Sequence, residues 1–403
     1  MRKSLVILHR WFGLFIAVFL FISGLTGAII SWDHELDEAL NPELYKSEWQ
    51  GQPLPALELA DRLEAEREGI RVTYMPLEHE PGHTLNLFVE PTSAEVAKRI
   101  DYNQLGINPT TGEIQAERMW GDVSLSRENL LPFLYKLHYS MHIPDIGNIE
   151  AGMWFMGIIG IVWLLDCFIA LAISFPSRKN WKKSFRLRWN SGGKKLNFDL
   201  HRSGGVWLWG LLLMVAVTSV SMNLEYELVR PMVNSVSPLT PNPFDTAEYQ
   251  KYSTPGIDRA SVIQLGLQEA QNQNIRDPLG GIFYSPDFDI YGVGFFTHEA
   301  SHGDGGLGVP WLYFGGQTGE YLGATIPGTG SLGDIFMQAQ FPLHSGRIIG
   351  IPGRVIMSFM GLVVAMLSLT GIIIWARKRR ARIASTQKDR TGSAPRIATE
   401  VAG

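Results

Sequence analysis

Four apolar runs stand out in a chain whose mean hydropathy is otherwise close to neutral: Trp11 to Trp32, Met153 to Phe175, Val206 to Leu224 and Val355 to Trp375. Each is near the ~20 residues that a bilayer-crossing helix needs, so the pattern predicts four membrane helices. A long polar segment separates the first run from the second, and another separates the third from the fourth. In the earlier segment, Pro55 to Gly69 has helical spacing through Leu57, Leu59, Ala60 and Leu63. Alternating stretches at Arg71 to Pro76, Thr84 to Glu90 and Arg99 to Gly106 then predict short strands, and Thr111-Gly112-Glu113 predicts a turn between two more. The later segment keeps this order, with a helix over Arg259 to Asn274, strands over Gly281 to Tyr284 and Tyr291 to Thr297, and a hairpin around Thr318-Gly319-Glu320.

The first run and its flanks occur twice. At a constant offset of 192, Leu8-His9-Arg10 falls on Leu200-His201-Arg202, Gly13 on Gly205, and Asp33-His34-Glu35-Leu36 on Glu225-Tyr226-Glu227-Leu228. From His9 to His34 a helix would rise about 37 Å against a hydrocarbon core of about 30 Å, which predicts that the two lie near opposite membrane faces. His138 lies 27 residues after Thr111 and His344 lies 26 after Thr318, and the second and fourth runs share Phe155-Met156-Gly157 and Phe359-Met360-Gly361. The expectation is a tandem duplication of helix, outer domain and helix, related by a pseudo-two-fold axis along the membrane normal. Its boundaries are a first helix over 1–36, an outer domain over 37–135, and a second helix with an interfacial lead-in over 136–176. A basic loop over 177–200 follows, then a third helix over 201–228, a second outer domain over 229–340, a fourth helix over 341–376 and a tail over 377–403.

Charge orients the chain. Arg2, Lys3 and Arg10 lie at the start of the first helix, eight lysines and arginines from Arg178 to Lys195 fill the short loop, and Arg377 to Arg382 follow the fourth helix. By the positive-inside rule these face the cytoplasm, with both termini, and the polar segments face the periplasm of a bacterial inner-membrane, multi-pass protein. A basic loop between two membrane helices is accounted for by topology, so no nucleic-acid partner is inferred. The first run is too long for a secretory signal and lacks a small-x-small cleavage site, which makes it an uncleaved anchor. The single cysteine, Cys167, lies inside the second run, and the absence of Cys-x-x-Cys-His excludes a covalent c-type haem by that motif.

Several short motifs stand in a fixed order and spacing across residues 3 to 380. They are Leu8-His9-Arg10-Trp11-Phe12-Gly13, Trp32-Asp33-His34-Glu35-Leu36 with Asn41-Pro42, the two Thr-Gly-Glu hairpins, Leu343-His344-Ser345-Gly346-Arg347, and Thr370-Gly371-Ile372-Ile373-Ile374-Trp375. Together they resemble the PepSY-associated transmembrane family. The resemblance implies an integral membrane α-helical four-helix bundle with two α+β PepSY-like periplasmic domains. Members include inner-membrane ferric-siderophore reductases of the ferrioxamine type, so it also implies two b-type haems.

Four histidines fit that implication. His9 and His201 open the first and third helices on the cytoplasmic side, and His138 and His344 precede the second and fourth on the outer side. Repeat register makes them two facing pairs, each suited to fill both axial positions of one haem iron, an arrangement that passes electrons and does not bind oxygen. Gly13 and Gly205 lie one helical turn beyond His9 and His201, where a missing side chain lets a macrocycle lie against the backbone. Gly24, Gly27, Gly157, Gly160 and Gly361 are read as helix-packing positions. Arg10, Arg202 and Arg347 adjoin the ligands and are matched to haem propionates. Asp166, inside the second helix, either stays protonated or accepts an imidazole N–H.

The remaining histidines do not follow the repeat. His34 is matched by Tyr226 and is read as interfacial or as a partner to a ligand. His142, four residues after His138 on what reads as a helix ending at Pro144, is a substitute haem ligand or a metal site together with it. His298 and His302 flank a Gly-rich loop, Gly303 to Gly308, expected to be mobile; solvated loop residues and a weak metal pair are both consistent with them. His79 and His83 carry no functional reading.

The function expected from these features is transmembrane electron transfer that reduces a ferric siderophore in the periplasm and releases its iron. No domain-sized cytoplasmic segment is present to carry nicotinamide or flavin, which leaves a membrane quinol, or a separate cytoplasmic reductase, as donor. Two other classes are consistent with parts of the sequence: a divalent-metal permease or delivery protein using His138, His142, His298 and His302, and a non-catalytic membrane regulator whose outer domains bind a peptide or protease.

Overall fold

A computed structural model describes residues 2–147, 149–300 and 303–392. Three of its helices are long and apolar enough to cross a membrane: Arg2–Ile30, Ala151–Ser174 and Ile351–Gly392, the last over Ile351–Thr386. The remaining candidate span is a pair, Gly193–Trp207 and Trp209–Asn223, bent by 72°. The chain thus has three membrane helices among the described residues, or four if the bent pair is one span. A straight third helix over 201–228 is not found. Ser203-Gly204-Gly205 lie just before the break, and such small residues are where long helices bend most readily. The helix also starts earlier than expected, at Gly193, so half of the 177–200 loop is helical.

The chain forms two compact units. One is helical and is drawn from Met1–Leu25, Ile158–Val217 and Met360–Gly403. Its first and fourth long helices meet at Gly24, where a Cβ would stand 2.6 Å from the Gly361 carbonyl oxygen, so glycine is required for the approach. Ile16, Ala17, Leu20, Leu212, Ala216 and Val363 are buried in this unit.

The other unit, Thr26–Gly157 with Thr218–Phe359, carries one antiparallel sheet of eight strands. They are β1 (Ile70–Pro76), β2 (Leu85–Pro91), β3 (Gln104–Ile107), β4 (Ile114–Arg118), β5 (Leu279–Ser285), β6 (Ile290–Phe295), β7 (Trp311–Gly315) and β8 (Tyr321–Thr325). The order β4-β3-β2-β1-β5-β6-β7-β8 runs outward in chain order from a central β1–β5 pair, in which Tyr74 faces Phe283 and Met75 faces Ile282. Two separate outer domains were expected, and a single sheet is found. Each half alone would leave its first strand as an open edge of unpaired N–H and C=O groups, and pairing β1 with β5 removes both edges.

One apolar core serves both halves. Helix Ala56–Glu66 contributes Leu59, Ala60 and Leu63, and helix Arg259–Asn272 contributes Val262, Ile263 and Ala270, against Leu87, Leu105, Val293 and Leu312 of the sheet. The strand expected from Arg99 begins only at Gln104, because Ser93 caps a helical turn over Ala94–Ala97. Both Thr-Gly-Glu turns are present, with Gly112 at φ +81° and Gly319 at φ +73°, backbone that a β-carbon would strain.

Candidate functional site: two histidine pairs

His9, on the helix Arg2–Ile30, and His201, on Gly193–Trp207, face each other with ring centres 6.1 Å apart. His9 Nδ1 lies 2.9 and 3.0 Å from the two carboxylate oxygens of Asp166, which is buried in the second long helix. His201 Nδ1 lies 3.0 Å from the Leu367 carbonyl oxygen and 3.1 Å from Thr370 Oγ1. A Cβ on Gly371 would stand 3.0 Å from His201 Cε1, so that glycine seats the ring.

The second pair repeats the spacing. His138 ends the helix Leu130–Ser140, His344 ends Leu332–Ser345, and their ring centres are also 6.1 Å apart. Thr26 Oγ1 is 3.2 Å from His138 Nδ1, and Thr218 Oγ1 is 2.9 Å from His344 Nδ1. Thr26 and Thr218 are themselves related by the 192-residue offset. Gly27 closes on His138, with a Cβ there falling 2.8 Å from Cε1. Assigning Gly27 to helix packing was therefore incorrect, since its neighbour is an imidazole.

With Nδ1 of all four rings held by a hydrogen bond, Nε2 is the nitrogen a metal would take. At 6.1 Å between ring centres, each pair is close enough for its two imidazoles to share one metal ion. Around His9 and His201 two further features fit a haem. The Nε atoms of Arg10 and Arg202, another repeat pair, are buried without a hydrogen bond inside the protein. Above Gly13 there is no atom within 4 Å of a built Cβ, and above Gly205 only Leu367 Cδ2 at 3.9 Å. Arg202 also donates to the Lys183 carbonyl oxygen and lies 3.7 Å from Asp199.

Residues 6–378 match the PepSY-associated TM region family. The chain belongs to that family. No curated protein matches the chain.

The stretch around Trp32 has its own structural account. Arg347, 8% exposed, holds Asp33 (3.3 Å) and Asp304 (3.1 Å). Arg354, 4% exposed, donates to Glu35 (2.6 Å), Asp304 (3.3 Å) and the Ser31 carbonyl (2.8 Å), and lies over the Trp32 ring at 4.5 Å. Arg347, matched in the sequence to a propionate, thus sits between two carboxylates. Arg354 was missed, although a basic residue at that end of the fourth run is not explained by positive-inside bias. A second buried pair lies nearby in the sequence, where Arg118 meets Asp37 through two bonds of 3.0 and 2.6 Å and Tyr45 donates to Asp37 at 2.6 Å. Burial and the Asp37 charge push the Tyr45 hydroxyl well above the usual tyrosine range.

The other histidines are accounted for outside the pairs. His142 is not a turn further along the His138 helix: the helix stops at Ser140, and Met141 and His142 take left-handed φ of 53° and 52°. Its ring stacks on Phe133 at 4.4 Å, and its Nε2 lies 2.9 Å from the Phe133 carbonyl oxygen, so it does not stand one helical turn beyond His138 as the spacing suggests. His34 stands edge-on to Tyr45 and lies 3.9 Å from Glu38. His298 pairs with Glu80 at 2.6 Å, His83 lies 3.2 Å from Glu80 and 3.6 Å from Glu38, and His302 falls outside the described residues. The Gly-rich loop is anchored, since Gly305 and Gly306 donate to the Arg347 and Ile348 carbonyls at 2.7 and 3.0 Å. Its spelling, Gly303-x-Gly305-x-x-Gly308, matches a dinucleotide fingerprint but leads into strand β7, whereas that fingerprint joins a strand to a helix.

The sheet unit also holds a cavity of about 600 Å³. Tyr74, Phe88, Trp120 and Tyr135 supply aromatic walls, and Glu78, Glu80, His83 and His298 a polar one. Glu38 borders this group; desolvation raises it, but the hydrogen bond and charge of Lys46 prevail and hold it below the usual carboxylate range.

Proposed function

We propose that this protein is a di-haem reductase of the bacterial inner membrane, which carries electrons outward and reduces a ferric siderophore in the periplasm. The observation that carries this reading is the recurrence of one spacing at two histidine pairs, each 6.1 Å between ring centres. Two related halves support it. Thr26 with His138 and Thr218 with His344 keep the same partnership, and the sheet order is symmetric about β1 and β5. On this reading the bent pair is one span, the spans form a four-helix bundle, and the chain is a tandem duplication with both termini cytoplasmic.

His9 with His201 would hold an inner haem, His138 with His344 an outer one, and Arg10 and Arg202 would meet the inner propionates. Such a group, with both axial positions filled, supplies one-electron transfer. The protein's part is to fix each imidazole through Nδ1 so that Nε2 is presented, and to leave space above Gly13 and Gly205. The aromatic and acidic cavity of the sheet unit is the candidate seat for the chelate. One quinol oxidised to quinone yields two electrons and two protons, so two ferric chelates become ferrous for each quinol; a cytoplasmic reductase is the other donor.

Protein purified in detergent from haem-replete cells should show a Soret band, low-spin six-coordinate b-type spectra and close to two haems per chain by pyridine haemochrome. Colourless protein carrying zinc would overturn the reading in favour of metal delivery, and colourless protein without metal would favour the regulator.

A further inference from the structure

Of the four imidazoles, three have a threonine hydroxyl at Nδ1: Thr26, Thr218 and Thr370. The fourth, His9, has a carboxylate. The exception is a departure from the repeat itself. Phe155-Met156-Gly157 aligns with Phe359-Met360-Gly361 at an offset of 204, and the same offset carries Asp166 onto Thr370. The two halves thus place different groups at one equivalent position, and both groups touch the equivalent histidine of their site. Asp166 brings both oxygens within 3.0 Å of the single Nδ1, and it is 7% exposed. The Thr370 hydroxyl has the Met366 carbonyl at 2.7 Å and the Leu367 carbonyl at 3.1 Å to donate to, which leaves its oxygen to accept from His201 Nδ1 at 3.1 Å.

A carboxylate that accepts Nδ1–H draws the proton away from the ring and makes Nε2 a more electron-rich ligand, whereas a hydroxyl or carbonyl does so weakly. An electron-rich axial ligand favours the ferric over the ferrous iron, and hydrogen bonding around the ligands is one of the levers that set haem potential. Burial removes the water that would screen the carboxylate. We propose that Asp166 is a tuning residue that holds the inner site at a lower reduction potential than the outer one, so that one-electron transfer from donor to ferric chelate runs downhill toward the periplasm. This rests on the di-haem reading above.

The test is a spectroelectrochemical titration of the full-length, haem-loaded protein, with the inner component identified by its loss in His9→Ala. The unmodified protein should titrate in two resolved components, the inner one lower. Asp166→Thr, which makes the halves alike, should raise the inner component toward the outer one while low-spin spectra persist. Thr218→Asp, which gives His344 a carboxylate, should lower the outer component, and it decides the matter if Asp166→Thr does not fold. An inner component that is the higher of the two, or unchanged potentials in a folded, low-spin variant, would overturn the tuning role and leave the di-haem reading intact. Haem-free unmodified protein would remove both.

Discussion

Gly27 lies so close to the imidazole of His138 that a β-carbon in its place would come within 2.8 Å of Cε1. Gly371 stands in the same relation to His201, at 3.0 Å. Neither contact can be relieved by a flexible side-chain end, because the ring is held by its hydrogen bond at Nδ1. Gly27→Ala should therefore displace His138, and Gly371→Ala should displace His201. On the di-haem reading the expected outcome is a several-fold loss of the corresponding haem signal, with the other unchanged. Haem per chain and low-temperature spectra of each variant check this.

The Arg118–Asp37 pair makes a separate prediction about stability. Both side chains are nearly inaccessible and joined by two hydrogen bonds, so removing one leaves the other charged and buried. Breaking such a pair costs about 3–5 kcal/mol. Asp37→Ala should lower the thermal transition of the sheet unit and expose it to protease, while the spectra of the His9/His201 site stay as they were. A transition temperature equal to that of the unmodified protein would show that the pair does not stabilise the fold.

Topology is checked with reporter fusions. Fusions at Lys194 and after Arg382 should report the cytoplasm, and fusions at Gln104 and Gly305 the periplasm. An external basic loop would reverse the direction of electron flow in the proposed reading while leaving both histidine pairs in place.

Much of this arrangement was legible in the sequence because it is periodic. Strands β1, β2, β5 and β6 follow from alternation, and the pairing of histidines follows from the repeat. The joining of β1 to β5 was not legible, since it depends on two edges meeting and no local pattern records which edges stay open. Nor was the bend at Leu208, where apolar composition continues and only Ser203-Gly204-Gly205 hints at weakness. Helical spacing carried past Ser140 puts His142 one turn beyond His138, whereas the left-handed backbone at Met141 and His142 folds the His142 ring back onto Phe133. The residues holding Nδ1 were present in the repeat all along. The offset of 192 pairs Thr26 with Thr218, and the offset of 204 pairs Asp166 with Thr370, so comparing halves at polar positions inside apolar runs would have found them.

The division of labour between the two pairs yields the last prediction. If His9 and His201 share one iron, removing either imidazole opens one axial position, so His9→Ala and His201→Ala should each lose or convert the same haem and spare the other. His138→Ala and His344→Ala should do the reverse. On the proposed reading a quinol or reductase donates at the inner site, so the inner variants should lose donor-driven turnover and still reduce a ferric siderophore when dithionite supplies the outer site directly. The outer variants should lose both activities. Elution of each variant by size exclusion separates loss of a ligand from loss of the fold. His142→Ala should keep both haems, since the His138 helix stops at Ser140 and it is His344 that stands opposite the His138 ring. Loss of the same haem in His9→Ala and His344→Ala would contradict the pairing, because His9 and His344 belong to different ring pairs and their removal cannot empty one site if each iron has the two ligands assigned to it.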